Sequence, residues 1–264
     1  MPAKPLTALG IIPARKGSQR FPDKHHAPLL GKPMFAYTIE AALESKRLNR
    51  LVISTDDLRL KPLADRYGVE FLERPAELCS PTSALDDTVR HLCRLLEARG
   101  GFRPDVILSM QGNVPVRKKG QIDEVIRRFE ELPQATAICT AMMTPQRPEW
   151  AQVMKNPATG EVRPYLPGPQ GYRVQDFPDL FIMDGAILGV RRETLFEQEK
   201  NNKVAFGWCG PRLHLIPQEH PMYSIEVDYP HQRALAEFYL LYQRYGEGWL
   251  QELTAPIGER ACSS

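Results

Sequence analysis

Ile11–Lys24 reads IIPARKGSQRFPDK. It begins inside a short apolar run, Leu9–Ile12, with the length and bounds of a buried strand. It then breaks into a loop carrying Arg15, Lys16, Gly17, Ser18, Gln19, Arg20, Pro22 and Lys24. Four cations, a glycine and a hydroxyl placed directly after a strand suit a polyanion. Glycine lets the backbone approach, N–H groups and Ser18 donate, and the cations neutralise phosphate. The loop matches no Walker pattern, so a solvated basic turn stays open on this stretch alone.

Outward from this stretch, strand-like and helix-like segments alternate with short connections. Pro33 opens a helix with Phe35, Ile39 and Ala42 on one face. Leu51–Thr55 reads as a second strand ended by Asp56 and Asp57, and a helix then closes at Gly68. Val69–Leu72 is a further strand candidate, followed by the polar loop 73–83 and a helix striped by Leu85, Val89, Leu92 and Leu96. Asp105–Met110 is a buried strand running into Gln111–Pro115 and Arg117, and Thr136–Met142 is another after an amphipathic helix. This alternation predicts an α/β fold, a mostly parallel central sheet with helices on both faces and right-handed crossovers. Ligands of such sheets bind beyond the carboxyl ends of the strands. The opening loop, Asp56–Asp57 and Gln111–Arg117 are therefore expected around one crevice.

The totals limit the choices. With 264 residues, 42% hydrophobic and 25% charged, the chain suits one large domain over residues 1–264. A net charge of +2 gives no bulk attraction to nucleic acid or membrane, so neither is an expected partner. The five cysteines (Cys79, Cys93, Cys139, Cys209, Cys262) are scattered without CxxC spacing and read as reduced thiols. No segment reads as a signal peptide or a membrane span, and the expected location is cytoplasmic. Regularity fails over 144–180, which is rich in Pro and Gly but carries Tyr165, Tyr172, Val174 and Phe177 as apolar anchors. An insertion of this length is expected to be an arm or a lid.

Near the end, Ile225–Asp228 reads IEVD, and on a strand Glu226 and Asp228 would face one side. A cationic loop opposite paired carboxylates is what a metal-assisted reaction on a nucleoside triphosphate needs. Alone, IEVDYP is a weak signal, since a carboxylate at a strand end is more often a helix cap or turn former.

The order of the pieces is more specific. IPARKGSQRFPDK, GKPM opening a helix, STDD after the second strand, ERPAEL, QGNVPVR, MDGAI and IEVD together resemble the acylneuraminate cytidylyltransferases, the enzymes of CMP-sialic acid and related nonulosonates. The resemblance runs from about Ala8 to Glu237. CMP-Kdo synthetases are close cousins, and QGNVP stands between the two patterns. The resemblance implies a Rossmann-like nucleotidyltransferase fold, with 144–180 as an inserted dimerisation arm and a homodimer. It implies a Mg²⁺-dependent transfer from CTP to a 2-keto-3-deoxy acid sugar, releasing pyrophosphate. Arg15, Lys24 and Asp228 take the catalytic positions; Ala14, Arg15, Ser18, Lys24, Arg74, Ser83, Gln111 and Gly112 bind nucleotide. Gln111, Arg117, Arg173, Gln175 and Asp184 fall at sugar contacts, and Asp228 and Glu226 at the metal. The chain departs from the family pattern at His25, Asn113, Val174, Asp184 and Glu226.

Rival readings differ in single features. A sugar-1-phosphate nucleotidyltransferase would carry a glycine-rich loop before its Arg, where this chain has Pro13-Ala14. A nucleotide-binding regulatory protein that lost catalysis would bind CTP without releasing pyrophosphate. A glycosyltransferase on the same sheet would not need the first cationic loop. His25-His26 and Lys118-Lys119 are expected on the surface, and Trp150 and Trp208 in packing or arm contacts.

Overall fold

The computed structural model describes residues 5–80, 82–144, 151–156, 158–166, 173, 175, 178–199 and 206–247. The opening run forms β1 (Ala8–Pro13), buried at every position. After the basic loop, β2 (Pro28–Leu29) and β3 (Lys32–Pro33) make a small antiparallel pair ahead of α1 (Met34–Leu43). Then follow β4 (Arg50–Thr55), α2 (Lys61–Tyr67), β5 (Glu70–Glu73), α3 (Leu85–Gly100), β6 (Val106–Ser109), α4 (Gln121–Glu131) and β7 (Ala137–Thr144). Next come the hairpin β8 (Gln152–Asn156) and β9 (Glu161–Pro164), then β10 (Leu180–Arg191), α5 (Arg192–Glu197), β11 (Leu213–Pro217) and α6 (Pro230–Tyr245).

The main sheet has seven strands in the order β11-β7-β10-β6-β1-β4-β5. β1 pairs in parallel with β4 and β6, β4 with β5, and β7 with β11. The expectation of a mostly parallel sheet holds, with one reversal: β10 runs antiparallel between β6 and β7. An apolar run marks a buried strand but not its direction. Residues between β7 and β10 leave and rejoin the sheet at one end, so the chain must descend where β7 ascended.

Alternation along β1 feeds both faces. Ala8 and Ile12 join Phe35, Ile39, Ile126 and Phe129 of α1 and α4, while Leu9 and Ile11 join Val89, Leu92 and Leu96 of α3. A third cluster lies beyond the carboxyl ends. There Leu29, Met34, Val116, Met222, Ile225 and Val227 pack beneath Ala236 and Leu240 of α6. Trp208 belongs to the α3-side core at 7% exposure, and Trp150 lies outside the described residues. Cys79, Cys93, Cys139 and Cys209 are all free thiols.

At the strand ends, Asp23 takes a left-handed conformation and a single 3-10 turn, Lys24–His26, follows. Its three side chains part company. Lys24 turns to the crevice, His26 meets Asp57 at 2.8 Å, and His25 is buried with its ring edge-on to Phe35 at 5.3 Å between centroids. His25 is therefore a core residue and not the surface residue expected. Burial, with the Lys24 charge beside it, pulls its imidazole down to about 3. Gly112 presses on the same ring: a Cβ there would lie 2.4 Å from Phe35 Cδ2 and Cε2.

Two outcomes follow from this packing. Gly112→Ala must displace the buried Phe35 ring, and urea unfolding should show a loss of about 1–3 kcal/mol, the usual penalty of overpacking. An unchanged midpoint would mean that the ring has room. His25 is held neutral while its unfolded counterpart protonates near 6.5, so its contribution is complete above pH 6.5 and drains away as pH falls toward 3. Between pH 7 and pH 5 this amounts to about 2 kcal/mol. His25→Asn should show a correspondingly shallower loss of stability over that interval; parallel curves would contradict the burial.

Candidate active site

The strand order reverses at β1, whose neighbours β4 and β6 depart to opposite sides, and the crevice opens beyond its carboxyl end. The basic loop is anchored there by its backbone. The Ala14 N–H donates to Ser54 O at 3.0 Å and the Lys16 N–H to Asp56 Oδ1 at 2.7 Å, so Asp56 holds the loop. Gly17 sits at φ 83, where a side chain would be strained. Arg15 is exposed and reaches Ser80 O at 3.4 Å; Ser18 is half-buried.

Opposite this loop lies IEVD. It is extended but forms no strand of a sheet, because its backbone meets a turn instead: the Val227 N–H donates to Asn113 O at 2.8 Å. Ile225 and Val227 are buried while Glu226 and Asp228 are half-buried, so the carboxylates share one side as expected. Gln232 Oε1 accepts the Asp228 and Tyr229 N–H groups at 2.7 and 2.8 Å, a capping arrangement that ties Asp228 to the start of α6.

These parts meet around a cavity of about 310 Å³ whose lining includes Lys24, Gln111, Asn113, Glu226 and Asp228. Lys24 Nζ donates to Asp228 Oδ1 at 2.9 Å, Asn113 Nδ2 donates to the same oxygen at 3.0 Å, and Arg20 lies 3.2 Å from Oδ2. Burial works against the Asp228 charge, yet Lys24, Arg20 and Asn113 together hold its carboxyl below the usual range. Glu226 is the opposite case. Burial, then the charges of Asp228 and Asp184, push it up to about 7. Its lining also includes the apolar side chains of Leu85, Met183, Leu188 and Phe206.

A break in β10 makes room for this. Pairing with β7 shifts between Met183 and Leu188, and Gly185 takes φ 63. A Cβ at Gly185 would lie 2.7 Å from Glu226 Oε1 and 3.2 Å from Gln111 Cγ. The Gln111 N–H donates to Gly185 O at 3.2 Å.

Two residues expected at the sugar lie behind the cavity instead. Asp184 is buried, and its Oδ1 accepts from Thr140 Oγ1 at 2.5 Å and the Ala186 N–H at 3.0 Å. Its Oδ2 accepts from Ser224 Oγ at 2.7 Å and Gln218 Nε2 at 2.8 Å. With both oxygens used, the carboxylate braces the bulge. Arg117 is buried too, donating to Gln111 O at 2.7 Å and to Ala186 O. Burial pulls its guanidinium down to about 10. It clamps the wall of this cavity from the rear and is not among its lining residues. Type and spacing in QGNVPVR indicate a cation near the site, but not that its side chain turns inward.

The remaining positions form a second group along the end of β4. Arg74 is buried and donates to Ser54 O at 2.8 Å, and Ser83 Oγ lies 2.8 Å from Ser80 Oγ. Ala14 and Arg15 reach the same segments, through Ser54 O and Ser80 O. Gly112 lies in the turn against Phe35. Arg173 and Gln175 are exposed and do not line the cavity. Val174, Tyr172 and Phe177 lie outside the described residues. Sequence reasoning counted Arg20 only among the loop cations without a role of its own, and it left out Thr140 and Thr38, whose Oγ1 donates to Gln111 O at 3.2 Å. Arg20 alone had a visible signal, as a cation within the loop.

Among the described residues no group of three or more His, Cys, Asp or Glu side chains could hold a metal ion. The donor set that exists is Glu226 and Asp228, with Asp184 close enough to raise Glu226. Such crowded negative charge fits a hard cation that takes one or two carboxylates and completes its shell from phosphate and water.

A family model described as cytidylyltransferase matches residues 9–159, more than half of the 264-residue chain. An 8-amino-3,8-dideoxy-manno-octulosonate cytidylyltransferase of Shewanella loihica is 33% identical over 130 residues, 49% of this chain and 50% of its own. The enzyme of the same description from Shewanella baltica is 34% identical over 123 residues, 47% of each chain. The chain thus spans about half the length of the curated relatives it matches. Among solved structures, a CMP:2-keto-3-deoxy-manno-octonic acid synthetase complexed with CTP superposes with a TM-score of 0.63 at 17% identity, covering 90% of this chain and 99% of that one. A 4-diphosphocytidyl-2C-methyl-D-erythritol synthase from Anaerococcus prevotii gives 0.61 at 12% identity, covering 90% and 100%. Both share the fold, and with the match over residues 9–159 the chain belongs to the cytidylyltransferase family.

Proposed function

We propose that this chain transfers the cytidylyl group of CTP to the anomeric hydroxyl of a 2-keto-3-deoxy acid sugar, releasing pyrophosphate. The observation that carries this reading is the meeting of Lys24, Gln111, Asn113, Glu226 and Asp228 around one cavity beyond the carboxyl end of β1. The curated relatives carry octulosonate names, which favours an eight-carbon Kdo-type acceptor over a sialic-acid-like nonulosonate. Arg15, Ser18 and Lys24 bind the triphosphate, Arg74 and Ser83 the nucleoside side, and Gln111 stands at the junction with the sugar. The sugar hydroxyl attacks the α-phosphorus in line with the departing pyrophosphate. No covalent enzyme intermediate is needed, so the protein supplies alignment and charge neutralisation. Glu226 and Asp228 would hold Mg²⁺, which would supply Lewis-acid neutralisation of the charge that develops on the phosphates.

The protein works in the cytoplasm, where CTP is available; no helix among the described residues is long and apolar enough to cross a membrane. It acts as a homodimer joined through the arm. Met154, Val162, Tyr165 and Leu166 of the arm, with Met143, Phe181 and Ile182 where β7 and β10 meet it, are exposed apolar side chains. An apolar surface of this kind marks a protein interface. Arg173 and Gln175 lie in the same inserted segment, so any sugar contact they make depends on how that surface is covered.

Purified protein with CTP, Mg²⁺ and a panel of octulosonates and nonulosonates should release pyrophosphate with at least one acceptor, an octulosonate first. Absence of turnover with CTP, GTP and UTP alike would sink the reading. Asp228→Asn should fold normally and lower kcat by about 10²-fold, the scale of a lost partner for transition-state charge. Wild-type kcat in that variant would remove Asp228 from the chemistry.

A further inference from the structure

Asp228 meets more cations than a waiting metal ligand should. Lys24 and Arg20 approach its two oxygens from the same loop, at 2.9 and 3.2 Å, and Asn113 takes a further position on Oδ1 at 3.0 Å. Lys24 is mostly enclosed, with 17% side-chain exposure, whereas Arg20 is 61% exposed. Arg20 rests over the ring of Tyr229, 5.5 Å from its centroid, and Tyr229 adjoins Asp228 in sequence. It thus reaches from the loop across the mouth of the cavity to the carboxylate.

We propose that Arg20 and Lys24 latch Asp228 before substrate arrives, so that a divalent cation is seated there only after a polyphosphate has drawn both cations away. The inference rests on the reading of the cavity as a metal-dependent nucleotide site. A divalent ion approaching Asp228 would meet two positive charges and would have to break their contacts first. A triphosphate offers the same two cations several charged oxygens at once, with bidentate geometry for the guanidinium. The loop can release them as a unit, since its backbone is tied to Asp56 and Ser54 and not to Asp228. Arg20 is accordingly a positioning residue. It keeps the carboxylate in place while the site is empty and enforces the order nucleotide first, metal second.

Two measurements test the latch and separate it from the reaction reading. In EDTA, calorimetry should show Asp228→Asn binding CTP several-fold more tightly than wild type, because the triphosphate no longer competes with a carboxylate for Arg20 and Lys24. Equal or weaker binding by the variant would overturn the latch. CTP binding to neither protein would sink the nucleotide reading and the latch with it. Without nucleotide, Mn²⁺ followed by its paramagnetic resonance signal should bind Arg20→Gln at least fivefold more tightly than wild type. The double variant Arg20→Gln/Asp228→Asn should lose that gain. Equal Mn²⁺ affinity in wild type and Arg20→Gln, or a gain that survives loss of Asp228, would overturn the proposal. Circular dichroism on the exposed Arg20→Gln variant confirms that the comparison is between folded proteins.

Discussion

The buried carboxylate of Asp184 is the joint between the sheet and the second half of the site. It lies in the bulge of β10 and accepts from Thr140 of β7, from the Ala186 backbone, and from Gln218 and Ser224 ahead of IEVD. Four donors converge on two oxygens, so the charge is well solvated by protein despite its burial. Neutralising it would strand buried donors at about 1–3 kcal/mol each. Because these donors sit on separate elements, the cost would be felt as a loss of register. Gly185 would no longer present its carbonyl to Gln111, and Glu226 and Asp228 would lose their fixed distance from the loop. The cations come from the loop after the first strand and the carboxylates from near the end of the chain, and Asp184 sets them face to face.

Arg117 does related work with the opposite charge. It clamps the carbonyls of Gln111 and Ala186 from behind, so the cavity wall is held by one buried cation and one buried anion. The overall charge of +2 conceals this separation. Cations gather on the loop and carboxylates on IEVD, so the two signs face each other across the crevice.

Much of the architecture was legible because strand and helix periods differ. Leu9–Ile12, Asp105–Met110 and the stripe Leu85, Val89, Leu92, Leu96 carry their structure in their spacing. The rule that ligands bind beyond strand ends brings Lys24 and Gln111 to one place from their positions in the sequence. What the spacing could not carry was side-chain direction within loops. His25, Arg117 and Asp184 are polar residues turned inward, which pattern reading assigns to the surface or to substrate. Each is buried because a specific partner waits there: the Phe35 ring, the Gln111 and Ala186 carbonyls, or the four donors on Asp184. The reversed direction of β10 was hidden for another reason, since it depends on where the chain re-enters the sheet and not on which residues it contains. IEVD kept the expected alternation without joining a sheet, because alternation needs only an extended backbone.

The proposed transfer requires the loop and the carboxylates to act on opposite ends of one displacement at the α-phosphorus of CTP. The most direct measurement places a heavy-oxygen label in the anomeric hydroxyl of the acceptor acid sugar and follows CTP turnover by phosphorus NMR. The account predicts a CMP-sugar whose bridging oxygen carries the label, with unlabelled pyrophosphate as the other product. Label in the pyrophosphate, or consumption of CTP without a labelled phosphodiester, would contradict it.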